Sequence, residues 1–361
     1  MAMLGLAVSC VEDLYPGTLG PDRILAMNAD LYSTDTLHTV LLYFSGHNSI
    51  EYAEGATVSI YVNGELTDVT SEDIRDKDGR HENEYARYQL KARFSEGDRV
   101  KVVAEKDDYH IEAEETVPPC PSTGKTSYDI VIEKDPLSDN VSKYISMNVE
   151  VEDDKTGMDY YAVEVFLNKL CIKDDDGEVV EEIYDRINVD VSKEPLLTAN
   201  FPSSFEDIDS TEYDEYSNFL FWAFTDNSFR DSSYSLLLRA PYTYQFLPHH
   251  GMSASSGYDE NGNWISVVEK FTMSLSLEVR LSRVPRSVYS TYMYKYFEYC
   301  TLSSLVLFDT NHEYQSNVSG GTGVMNLWSS RIEEIGLGTF HYDVYNSDYD
   351  LTDLPFRGDM Q

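Results

Sequence analysis

Apolar and polar residues alternate with a period of two along much of this chain. Tyr88, Leu90, Ala92 and Phe94 are separated by Gln89, Lys91 and Arg93, and Ile145, Met147, Val149 and Val151 by Ser146, Asn148 and Glu150. The cleanest run is Met273, Leu275, Leu277, Val279 and Leu281, interleaved with Ser274, Ser276, Glu278 and Arg280. Side chains of a strand alternate between its two faces, so each run predicts an antiparallel strand with one face in a core and one in water. Turn residues fall between the runs: Asn63-Gly64 after Val58–Val62 is a strong two-residue hairpin signal, and Asp78-Gly79, Asp176-Gly177 and Asn261-Gly262 mark further turns. The pattern predicts an all-β, mainly antiparallel protein built as tandem β-sandwiches.

The run Val117-Pro118-Pro119-Cys120-Pro121 sets the main boundary, because prolines lack the N–H that a central strand must donate. Residues 21–117 before it have the size of one immunoglobulin-like sandwich. Residues 122–342 form a larger β domain, interrupted by one helix near 285–300. That helix opens at Pro285, a favoured first-turn residue, and carries Val288, Tyr289, Tyr292, Met293, Tyr296 and Phe297 at helical spacing for core packing. Residues 343–361 read as an acidic tail and 1–20 as a signal remnant and tether.

Within that first segment, Leu6-Ala7-Val8-Ser9-Cys10 follows a short apolar run and precedes Glu12 and Asp13. Small residues leading to one cysteine are the pattern at which bacterial lipoprotein precursors are cleaved and acylated, which makes Cys10 the expected lipid attachment site. Secretory signals carry a basic n-region, and none precedes Cys10, so the N-terminus is read as truncated or mis-started. No stretch approaches the roughly 18 consecutive apolar residues of a spanning helix. The membrane is therefore reached through the lipid anchor alone.

Charge narrows the partners. Among 361 residues, 64 acids against 27 bases give a net charge of −37, which repels phosphate backbones and anionic lipid heads alike. Nucleic acid is not an expected partner. Of the four cysteines, Cys120, Cys171 and Cys300 remain beside Cys10, with no metal-ligand spacing; buried free thiols are expected, although one disulfide among the three is possible by count.

Catalytic signatures are missing from the sequence: no HExxH, GxSxG, Walker-type loop or GxGxxG at a strand-to-helix junction. EF-hand spacing fails too. With Gly177 at the sixth position the first and twelfth fall on Ile172 and Ile183, and with Gly79 on Ile74 and Tyr85. Nothing singles out two of the 64 acids as a glycosidase pair. The expectation is a non-enzyme without metal or cofactor other than the covalent lipid on Cys10. Two loops stand apart. Leu247–Asn263 is long and Gly/Ser-rich, and offers His249, His250, Met252 and Tyr258 as a partner-contact loop. Ser316–Val324 packs Gly320, Gly321 and Gly323 behind Asn317; glycines there let backbone pass close to a neighbouring element.

Three segments in order resemble a Bacteroidota outer-membrane lipoprotein family of unknown function, commonly encoded beside TonB-dependent receptors. They are the N-terminal strands Ala56–Tyr61, Glu96–Val102 and Glu115–Pro118; the polar turn Thr225–Asp231 leading into Tyr234-Ser235-Leu236; and the helix after Leu281 followed by Asn317–Val324. Cys10-Val11-Glu12-Asp13 also resembles the acidic signal that sends lipoproteins of that phylum to the cell surface. The resemblance implies no catalytic residues. It implies a surface-exposed lipid-anchored accessory protein that docks on an outer-membrane β-barrel, a TonB-dependent transporter or another barrel complex. Alternatives are an adhesin or fimbrial subunit that polymerises by strand exchange, and a glycan-binding module suggested by the Tyr content and by Trp222, Trp264 and Trp328.

Overall fold

The alternating runs fold as strands in the computed structural model, which describes residues 23–46, 50–74, 86–134, 141–153, 157–174, 177–198, 222–242, 246, 255–258, 264–267, 270–290 and 316–343. The architecture is all-β and mainly antiparallel. Tyr88, Leu90, Ala92 and Phe94 are buried together, as are the inward residues of the two other runs.

The N-terminal sandwich begins with β1 (Arg23–Tyr32), β2 (Leu37–Gly46), β3 (Ile50–Tyr52), β4 (Thr57–Val62), β5 (Glu65–Thr70), β6 (Ala86–Lys91), β7 (Arg99–Lys106) and β8 (Tyr109–Thr116). One layer is ordered β5-β4-β7-β8, and the facing layer contains β1, β2, β3 and β6. Leu25, Met27, Val40, Leu42, Val58, Ile60, Val102 and Ile111 fill the space between them. The β4–β5 hairpin turns at Asn63 and Gly64, with φ of 53° and 83°. Positive φ at both central residues gives the twist that two hydrogen-bonded strands require.

The second sandwich follows with β9 (Ser122–Thr123), β10 (Ser127–Lys134), β11 (Val141–Glu152), β12 (Tyr160–Lys173), β13 (Val179–Arg186), β14 (Trp222–Thr225), β15 (Ser233–Pro241), β18 (Lys270–Arg283) and β19 (Thr322–Asp343); β16 (Ser255–Tyr258) and β17 (Trp264–Val267) form a separate hairpin. A layer of β10-β11-β15, with β9 beside β11, packs on a layer of β13-β12-β18-β19. Two α-helical pieces are described, α1 (Pro195–Thr198) and a helix over 286–290. Of the helix expected near 285–300, Val288 and Tyr289 pack against Ala162, Val284 and Trp328, and residues 291–300 lie outside the described residues.

The two sandwiches share a strand late in the chain. β19 spans 22 residues and changes partner partway. Its first part, Thr322–Trp328, pairs in parallel with Ala26–Tyr32 of β1; its second, Ser329–Asp343, pairs antiparallel with β18. Val318, Met325 and Leu327 therefore belong to the N-terminal core, while Ile335, Leu337 and Phe340 belong to the second. The physical reason is the far edge of β1, which β2 leaves unpaired and β19 closes. Alternation reveals that a strand exists but not which strand lies beside it.

The outer face of β18 departs from the sequence pattern as well. Ser274 is exposed as alternation requires, but Arg280 and Ser282 are buried. They lie at the junction, where Tyr32, Phe166 and Trp328 cover that face.

Candidate functional site

Most residues singled out in the sequence for attachment or contact, namely Cys10, His249, His250 and Met252, lie outside the described residues. Tyr258 is the last residue of β16, opposite Trp264. The expected loop Leu247–Asn263 is thus partly strand: Ser255–Tyr258 pairs with Trp264–Val267 across the Asn261-Gly262 signal. Of the tryptophans, Trp328 is wholly buried and Trp222 packs half-buried on the second core. Trp328 offers no open stacking face for a sugar.

Asn317 and the glycines organise the entry into β19. The Asn317 side chain donates to the Met325 carbonyl at 2.9 Å and accepts from the Met325 N–H at 2.8 Å, in the manner of a neighbouring strand. Ser319 bridges to Glu112 of β8. A Cβ on Gly321 would stand 2.3 Å from the Leu25 carbonyl oxygen, and one on Gly323 would stand 2.0 Å from that of Met27. Gly323 also has φ of 112°. Only glycine allows β19 to lie this close to β1.

Two charged arrangements remain. The first is a depression on the outer face of β4, β7 and β8, where Arg99 pairs with Glu114 at 2.7 Å, Lys101 with Glu112 at 2.5 Å and His110 with Glu105 at 3.2 Å. These are cross-strand pairs on a wet face, each worth at most about 1 kcal/mol. They read as a solvated surface.

The second is a cluster of Asp153, Asp159 and Asp226, one carboxylate oxygen of each lying within 4.8 Å of the others. Strand register assembles it. β12 pairs with β14 with Tyr160 opposite Thr225, so Asp159 just before β12 meets Asp226 just after β14. β11 pairs with β15 with Glu152 opposite Ser233, and the Asp153 N–H continues that ladder to the Ser232 carbonyl at 3.1 Å. Asp226 opens the 3-10 turn Asp226–Ser228, and the Asp231 N–H, at φ of 63°, donates to the Asp153 carboxylate. Asp159 Oδ2 accepts from Arg283 at 2.8 Å, and Arg283 also reaches the Tyr161 hydroxyl at 3.2 Å.

Asp226 is the anomaly. It is 0% exposed, and neither carboxylate oxygen makes a hydrogen bond. Burial pushes its carboxyl above the usual carboxylate range and the charge of Asp153 adds to the shift; the backbone N–H of Asp159, near the carboxylate but outside hydrogen-bonding geometry, opposes it. A buried, unsatisfied carboxylate costs several kcal/mol unless something neutralises it. No sequence motif marks these three acids as a set. Asp153 and Asp226 are brought together only by sheet register, and no local spacing announces that.

The fold defines an all-β protein of two sandwiches laced together by one shared strand. The chain belongs to the family described as Domain of unknown function (DUF4249), whose model matches residues 18–332. No curated protein matches it.

Proposed function

We propose that this protein is a lipid-anchored accessory protein of the Bacteroidota outer membrane, facing the cell exterior and docking on a β-barrel, a TonB-dependent transporter or another barrel complex. The observation that carries the reading is Leu6-Ala7-Val8-Ser9-Cys10 placed shortly before β1, which is hydrogen-bonded on both sides, to β2 and to β19. A tether attached there would load the middle of a sheet rather than a peelable edge. No helix among the described residues is long and apolar enough to cross a membrane. A lipid on Cys10 would supply the attachment, and confinement beside a barrel raises its effective concentration so that weak contacts suffice. The net charge of −37 keeps the body off anionic lipid surfaces.

Metabolic labelling with an alkyne fatty acid tests the anchor: the wild type should take up label and Cys10→Ser should not. Affinity purification from detergent-solubilised membranes tests the partner, with an outer-membrane barrel expected to co-purify. An unlabelled wild type, or purification without any barrel protein, overturns the reading.

One observation favours a strand-exchanging surface polymer as the second reading. Among the described residues, the edge strands β5, β10 and β13 carry exposed apolar side chains, namely Leu66 and Val69, Tyr128 and Ile132, and Val179, Val180 and Tyr184. Edge strands with exposed apolar side chains invite pairing with another chain. Ladders on unheated gels would support it.

A further inference from the structure

We infer that Asp153, Asp159 and Asp226 form a binding site for one calcium ion that clips together the two sheets of the second sandwich. Two observations carry this independently. The first is geometric: three carboxylate oxygens from separate chain segments converge within 4.8 Å of one another. One ion can bridge oxygens that close, and three protein carboxylates suit calcium, which takes six to eight oxygen ligands in flexible geometry, better than magnesium, which keeps several waters and is usually held by one or two carboxylates. The second is the state of Asp226, fully buried and aimed into the cluster with both oxygens lacking a hydrogen-bond partner.

The donor set is all oxygen, which suits a hard cation and not zinc or copper. Charge points the same way. The buried guanidinium of Arg283 sits on Asp159, while no hydrogen bond offsets the buried carboxylate of Asp226, which a divalent ion would neutralise. Arg230 also faces Asp226, but it is exposed and turns its guanidinium to Asn227 Oδ1 at 3.5 Å, where water screens it. The ion would join the end of β11, in one layer, to the start of β12 and the end of β14, in the other.

The test uses purified protein stripped with a chelator. Calcium titrated by calorimetry should bind at one site on the wild type. Calcium in hundredfold excess over its dissociation constant should raise the melting temperature by about 5 °C over the chelated protein. Asp226→Asn should lose both effects, and in chelator it should melt at or above the wild type, because it removes an unsatisfied buried charge. Asp153→Asn, at a half-buried position, is the second variant should Asp226→Asn fail to fold, and Glu105→Gln on the distant charged face should respond as the wild type. A wild type without calcium-dependent binding or stabilisation overturns the site. So does an Asp226→Asn or Asp153→Asn protein that retains both effects, and an equal response to magnesium overturns the assignment to calcium.

Discussion

Tyr32 stacks on Trp328, with ring centroids 5.4 Å apart and planes inclined by only 14°. Tyr32 ends β1, and Trp328 is the last residue of β19 paired with it before β19 turns to β18. The pair therefore marks the point at which one sandwich hands the strand to the other. Arg280 of β18 lies 4.8 Å from the Tyr32 ring centroid and 4.8 Å from that of Phe166, while its Nη2 donates to Glu278 at 3.0 Å. Each layer of this stack comes from a different strand. Trp328→Ala should cost about 3–5 kcal/mol, the usual loss for a large aromatic removed from a core. It should also divide unfolding into two transitions, because the coupling between the sandwiches runs through this residue. Differential scanning calorimetry reads both effects; a single transition displaced by less than about 1 kcal/mol would speak against the coupling.

Gly323 allows the other half of that arrangement. A methyl group there meets the Met27 carbonyl oxygen at 2.0 Å, on backbone that cannot retreat, and the residue's φ of 112° is itself strained for any side chain. Gly336, further along β19, meets nothing within 4 Å. Gly323→Ala should therefore unfold readily or accumulate insolubly, and Gly336→Ala should melt within about 2 °C of the wild type. Equal tolerance of the two substitutions would contradict the close approach of β19 to β1.

The two described thiols differ in environment. Cys171 is wholly buried among core residues of the second sandwich, and burial pushes its thiol up to about 11. Cys120 is exposed in the connector between β8 and β9, its sulfur 3.7 Å from the Ser330 carbonyl of β19. Thiolate is the reactive form. An aromatic disulfide reagent or iodoacetamide should modify Cys120 in the native protein and reach Cys171 only in denaturant, as peptide mass spectrometry would read. Rapid native modification of Cys171 would show that the second core opens.

What the sequence disclosed, and what it concealed, follows from range. The β4–β5 hairpin was legible because Asn63 and Gly64 encode their own positive φ. Strand identity at Tyr88–Lys91 and Met273–Leu281 was legible because period-two alternation is a local consequence of burying one face, and burial alone continues to Ala92 and Phe94 beyond the end of β6. Neighbourhood was not local. The parallel pairing of Asn28 with Val324 joins residues nearly a chain length apart, and no pattern in either strand names the other. Arg280 looks like a water-facing residue in its own strand and is buried only because Tyr32 and Phe166 arrive from elsewhere. The acidic cluster failed for the same reason: a search by EF-hand spacing looks for ligands within one loop, and these three come from the ends of three strands.

His38 supplies a pH dependence whose sign can be worked out. The ring is buried in β2, stacks on Phe94 at 5.0 Å, and shares a hydrogen bond between Nε2 and the Ala92 carbonyl at 3.2 Å. A carbonyl only accepts, so Nε2 carries the proton, and Nδ1 has no partner. Protonation would place an N–H at Nδ1 in an apolar wall. Burial accordingly lowers the imidazole's pKa; the Ala92 carbonyl and the charge of Asp35 oppose it without cancelling it. The folded-state pKa lies below the unfolded value of about 6.5, so this contribution to stability is complete above that pH and declines as pH falls toward the folded pKa. His38→Gln keeps a donor for Ala92 and cannot titrate. Carboxylates titrate alike in both proteins, so their large contribution cancels in the difference. Urea denaturation from pH 7.5 down to 5 should show the wild type losing stability relative to His38→Gln by up to about 1.4 kcal/mol per pH unit below pH 6.5, with a constant offset above it. Parallel curves across the whole range would mean that the ring reaches water when charged and that the wall around it is not closed.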